Sequence, residues 1–305
     1  MMHAAFPPAR SFRVLVVADI DLAGVNALAA RYVPDNANEV DMIVACGPFT
    51  HMECKSEEEL AVTKANIAAT IAQLECIVCR VAYLASDHDP TEVLTEELHL
   101  TPNSVNFHAR MLPLAKGLFL SGFAETRGNL RTSQVTDGDD NEELEGVSVT
   151  SCVASVELLG ELLQEVRAGL VGESASAAED GKTCSDSVKT AAGSAAEAVD
   201  HEPSLGLFAL NYKFSHTLNH FLFHMPEDLE RSRIGVAVVA PPCASDVAGS
   251  EDSEFPAPKL PEKFGALNIV SPGSLRRNKT YSVLTVTQNA ADAWEVASVV
   301  SCSLD

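Results

Sequence analysis

Residues 80–90 read RVAYLASDHDP. The first six, RVAYLA, are apolar after Arg80 and have the length of a strand buried on both faces. The polar run Ser86-Asp87-His88-Asp89-Pro90 follows at once, and Pro90 closes it. Two upstream stretches repeat this plan. Residues 13–18 (RVLVVA) run into Asp19-Ile20-Asp21, and residues 41–46 (DMIVAC) run into Gly47-Pro48-Phe49-Thr50-His51. Helical spacing fills both gaps. Residues 22–30 form a short helix. Residues 56–74 form a longer one, opened by a Ser56/Glu59 capping box and striped by Leu60, Thr63, Ile67, Thr70, Ile71 and Leu74. Strand, helix, strand, helix, strand implies parallel pairing through right-handed crossovers.

Further along, 104–108 and 118–122 read as strands separated by a turn at 113–117. Residues 205–210, 234–239, 267–270, 281–286 and 294–300 read as later strands, the last three largely antiparallel. A helix is expected over 156–170. Between these elements lie three polar tracts. An acidic loop spans 134–146 and includes DGDDNEELE. An Ala/Ser/Glu-rich insertion spans 171–203, with too few large apolar residues to offset its ordering entropy. An acidic, Pro-containing loop spans 244–263. The expectation is a single layered α/β domain over 12–302.

The chain has 305 residues, 46% hydrophobic and 21% charged, which suffices for a large core. Its 43 acidic and 21 basic residues give a formal net charge of −22. Such a surface repels phosphate backbones and disfavours nucleic-acid partners. No apolar stretch has the about 18–20 residues of a membrane helix, and residues 1–12 lack an apolar run of signal-peptide length. The expectation is a soluble protein of the cytoplasm or nucleus. The eight cysteines do not have the spacing of a small disulfide scaffold, and most read as reduced structural thiols.

In open α/β sheets, ligands gather at the carboxyl ends of the strands. Three successive strand ends therefore bring Asp19, Asp21, Asp87, His88 and Asp89 toward one rim. The order DxD, GPF, SDHDP, and then Ser271-Pro272-Gly273-Ser274-Leu275 ahead of a final strand pair, resembles the calcineurin-like metallophosphoesterases. The family pattern is D-x-H, G-D, G-N-H-D, a later histidine, G-H-x-H and often N-P-G-S. The likeness covers about 12–300, and it implies two mixed β-sheets flanked by helices around a two-metal phosphoesterase site acting on a phosphoester ligand.

The same resemblance marks departures. Asp19 matches the first metal-ligand aspartate, His88 the acid-like histidine and Asp89 its partner. Asp21 stands for a histidine, Pro48 for the bridging aspartate and Asp87 for a ligand asparagine. Asn211 is the counterpart of a ligand histidine, and Pro241 and Cys243 fall on the G-H-x-H positions. Proline offers no donor atom, so a normal binuclear centre is not expected. Asp19, Asp21 and Asp87 together read in two ways. They hold one divalent cation (Mn²⁺, Mg²⁺ or Ca²⁺) through hard oxygens, or they cap helix N-termini and turns. The Gly47-Pro48-Phe49 stretch is also similar to the noncatalytic B subunits of replicative DNA polymerases, by analogy of motif alone.

Weaker signals complete the inventory. His216, His220 and His224 share a helical face but lack flanking carboxylates or cysteines. Cys76 and Cys79 have C-x-x-C spacing with no second pair. Thr50 and His51 either reach the rim or cap a turn. Arg276, Arg277 and Lys279 form a basic cluster suited to an anion or to a solvated turn. Two functions follow: a catalytically impaired binding protein with a protein partner, or a hydrolase with a mononuclear site using His88 as general acid.

Overall fold

The computed structural model describes residues 11–31, 40–50, 56–86, 88–90, 92–93, 99–124, 160–161, 164, 205–211, 231–241 and 262–304. The expected acidic loop at 134–146, the insertion at 171–203 and His216, His220 and His224 lie outside these residues. So do nearly all of the helix at 156–170 and of the loop at 244–263.

β1 (Ser11–Ala18), β2 (Met42–Cys46) and β3 (Val81–Leu84) run parallel, as their continuous apolar character requires. The connecting helices are α1 (Leu22–Arg31) and α2 (Glu57–Glu75). Ser56 caps α2 by accepting the Glu59 N–H at 3.2 Å, and Ile67, Thr70, Ile71 and Leu74 are its buried stripe. β4 (Ser104–Asn106) continues the parallel set beside β3. On the other side, β11 (Thr280–Gln288) joins β1 antiparallel and β12 (Trp294–Ser303) closes the sheet, giving the order β12-β11-β1-β2-β3-β4. β12 is the outer edge, mostly exposed, with Val299 and Val300 open to solvent.

A second sheet has the order β5-β6-β7-β8-β10-β9. Its strands are β5 (Met111–Ala115), β6 (Leu118–Ala124), β7 (Leu205–Asn211), β8 (Ile234–Val239), β9 (Lys263–Phe264) and β10 (Leu267–Val270). One continuous core joins α1, α2 and β1–β3 to Leu120, Leu207, Val236 and Val270 of this sheet. A smaller cluster built on Phe119, Phe123, Phe208 and Ile269 fills the sheet's other face. Trp294 adds a polar tie between the sheets, its indole N–H donating to the Lys116 carbonyl at 2.8 Å. The architecture is the layered pair of mixed sheets expected from the sequence.

One local expectation is corrected and a second is made specific. Pro113 lies inside β5 rather than in a turn. β5 is an edge strand, where a missing N–H costs no ladder bond, and the turn narrows to Lys116 and Gly117. β10 pairs parallel with β8 and antiparallel with the two-residue β9, while β11 and β12 pair antiparallel with each other. The long stretch between β8 and β10 is the kind of connection that parallel neighbours need.

Candidate functional site at the strand ends

Ala18, Cys46 and Leu84 sit in register, so β1, β2 and β3 end level and their following loops share one rim. Asp19 comes first. It is fully buried, with a φ of 49°, a left-handed conformation that aspartate tolerates better than most residues. Its Oδ2 accepts from Ser274 Oγ at 2.6 Å and from Arg277 Nε at 2.8 Å. The Leu275 and Arg276 N–H groups donate to the Ala18 and Asp19 carbonyls, at 2.9 and 2.8 Å. The 271–277 loop is thus clamped onto the tip of β1. Gly273 makes the loop's shape possible: its φ is 71°, and a Cβ there would collide with Thr280.

Asp21 is the N-cap of α1. Its Oδ1 accepts the Gly24 N–H at 2.6 Å while its carbonyl takes the first helical bond from Val25. Asp87 and His51 lie outside the described residues. His88 is half-buried, and its backbone N–H donates to Ser86 Oγ at 3.2 Å.

Asp89 is buried and joins two rim loops. Oδ1 accepts the Phe49 and Thr50 N–H groups at 2.8 and 2.9 Å. Oδ2 accepts the Ser86 N–H at 2.8 Å and its hydroxyl at 3.2 Å. Burial pushes the carboxyl up to about 6, against the pull of these four bonds. Phe49 reinforces the junction, its ring meeting Tyr83 edge-on at 6.5 Å. Gly47 is needed beneath it, because a Cβ would strike the Asp89 carboxylate. Asn211, at the end of β7, donates to the Gly47 carbonyl at 3.0 Å and ties the second sheet to the same loop.

Pro48 is buried and turns its carbonyl to the Ile20 N–H at 2.9 Å. Pro241 follows β8, and Cys243 lies outside the described residues. Cys46 is buried and its thiol is pushed up to about 12, which keeps it protonated and unreactive. Cys76 and Cys79 are exposed free thiols.

Among the described residues the donor set does not fit a two-metal centre. Among the described residues no three His, Cys, Asp or Glu side chains converge as metal ligands would. Asp19 Oδ2 is shared by a hydroxyl and a guanidinium, Asp21 Oδ1 caps a helix, both Asp89 oxygens hold backbone amides, and the Pro48 side chain has no ligating atom.

Sequence reading missed His108, which follows β4. It is almost fully buried, and its Nδ1 accepts the Ala124 N–H at 3.2 Å, which fixes the neutral ring's proton on Nε2. Burial, then the Arg110 charge, pushes it from 6.5 down to about 4. The unfolded chain therefore takes up this proton first, and the contribution is complete above pH 6.5 and fades as pH falls toward 4. His108→Asn keeps an acceptor for Ala124 without titrating near neutrality. Chemical denaturation at both pH values should show it losing about 2 kcal/mol less than wild type between pH 7 and pH 5.

No protein-family model matches the sequence, and no curated protein matches it. Solved structures do. The calcineurin-like phosphoesterase YfkN from Bacillus subtilis aligns over 97% of this chain and 92% of its own, at 11% identity and a TM-score of 0.50. TT1561 of Thermus thermophilus aligns over 97% of this chain and 100% of its own, at 15% identity and 0.47. A novel phosphatase from Mycoplasma pneumoniae aligns over 96% and 93%, at 8% identity and 0.44. With YfkN matched along nearly its whole length, and the two sheets and rim loops in the order described, the chain carries the calcineurin-like phosphoesterase fold.

Proposed function

We propose that the chain is a noncatalytic binding protein built on a phosphoesterase fold. The observation that carries this reading is the use made of Asp89. In the resemblance it partners the acid-like histidine. Here both of its oxygens hold the backbone of the loops after β2 and β3. A carboxylate committed to four local bonds is a poor proton relay, because any transfer breaks part of the rim. Asn211 and Asp21 are likewise engaged with backbone, which turns the family's ligand positions into braces. The net charge of −22 favours a partner with a basic face.

The test is hydrolysis of nitrophenyl phosphate mono- and diesters with Mn²⁺ or Mg²⁺, run beside His88→Ala. The expected result is no turnover that depends on His88. Turnover abolished by His88→Ala would replace this proposal with the mononuclear hydrolase built on Asp19, Asp21, Asp87 and His88. Affinity purification should return a partner in stoichiometric amount.

A further inference from the structure

A fully buried carboxylate such as Asp19 is costly unless a positive charge or strong donors meet it. We propose that Arg277 is the resident cation of this site, supplying from the chain itself the charge that a bound metal would give Asp19. The proposal rests on the noncatalytic reading above and deepens it.

Three features support it. Arg277 Nε and Ser274 Oγ approach the same oxygen, Asp19 Oδ2, at 2.8 and 2.6 Å, so that oxygen already has two donors, one of them a cation. The arginine is also pre-positioned. Ser274 Oγ accepts the Arg277 N–H at 2.8 Å, and the two amides between them are anchored on Ala18 and Asp19. Finally, the guanidinium spans the boundary between core and water. Arg277 is 40% exposed while Asp19 is 0% exposed, so the cation keeps part of its hydration as it neutralises a buried partner.

The experiment combines thermal unfolding and calorimetric titration with MnCl₂ on wild type, Arg277→Gln, Asp19→Asn and the double variant. Wild type should show no Asp19-dependent Mn²⁺ heat and no change in Tm with Mn²⁺ or EDTA. Arg277→Gln should lower Tm by on the order of 5 °C, and Mn²⁺ should recover part of that loss. Asp19→Asn in the same chain should restore Tm and abolish the Mn²⁺ effect, because no buried charge is left to neutralise. If Arg277→Gln alone does not fold, rescue of folding by Asp19→Asn supports the proposal and failure to rescue overturns it. Mn²⁺ binding by wild type that Asp19→Asn removes also overturns it. In a protein inert toward phosphoesters, that result would leave the noncatalytic reading intact.

Discussion

Asp89→Ala should remove about 3–4 kcal/mol of stability at neutral pH, measured by urea denaturation followed by circular dichroism. Hydrogen bonds to a charged group contribute about 1.5–3 kcal/mol each, and buried donors left without a partner add a penalty. Three backbone N–H groups, from Phe49, Thr50 and Ser86, lose their acceptor together. The sum is well below three full bonds, because the variant also escapes the cost of burying a carboxylate. That cost is visible in the carboxyl being raised from 3.8 to about 6. The pH dependence follows from its sign. A carboxyl raised in the folded state contributes stability below pH 3.8 that is lost as pH rises through 6. Wild type therefore gains from this group on acidification and Asp89→Ala does not. The gap between them should widen by about 1 kcal/mol from pH 7 to pH 5. Hydrogen exchange should report the same event locally, with protection lost first at the Phe49, Thr50 and Ser86 amides. A variant as stable as wild type, with those amides still protected, would show that the two loops hold each other without this side chain.

The second large effect lies between the sheets. Phe107 is fully buried, and its backbone N–H bonds the Tyr83 carbonyl on β3 at 3.2 Å. Its ring occupies the space that a Cβ on Gly122 of β6 would need. Phe107→Ala should cost about 3–5 kcal/mol, the lost transfer energy plus the cavity left behind. Gly122→Ala should cost about 2 kcal/mol for the opposite reason, overpacking against the ring and against the Ala209 carbonyl, which a Cβ would approach to 3.0 Å. The double variant should then lose less than the sum by about 1 kcal/mol or more, since the new methyl enters vacated space. Strict additivity in that cycle would mean that ring and glycine do not share the volume assigned to them.

The parts of this fold that could be read from the sequence were those whose signal is local. β1, β2 and β3 announce themselves as apolar runs because both their faces are covered. α2 announces itself through Ser56 and a stripe of apolar positions. The rim followed from those elements, since parallel strands in register must deliver their polar ends side by side. Much less could be read about what the rim residues do. The bond from Arg277 to Asp19 spans 258 positions, that from Asn211 to Gly47 spans 164, and that from Phe49 to Asp89 spans 40. No periodicity encodes such pairs. Arg277 therefore read as one member of a basic cluster, and Asn211 as a displaced ligand. The order of the second sheet was hidden for a related reason: Leu267–Val270 has the same apolar look whether its neighbour runs with it or against it.

β12 has one more consequence, for the protein in bulk. Ten residues long, it carries Glu295 as its sole charge and no proline or lysine, and Val299 and Val300 are 38% and 50% exposed. Among the described residues β12 borders its sheet, the kind of edge on which a similar strand that drifts near can pair, and Glu295 is the one charge along it. The barrier to clumping is then collective: copies bearing −22 repel at a distance. Added electrolyte shrinks the reach of that repulsion to about 10 Å at 0.1 M, so ionic strength governs how far this protein can be concentrated before it sticks to itself.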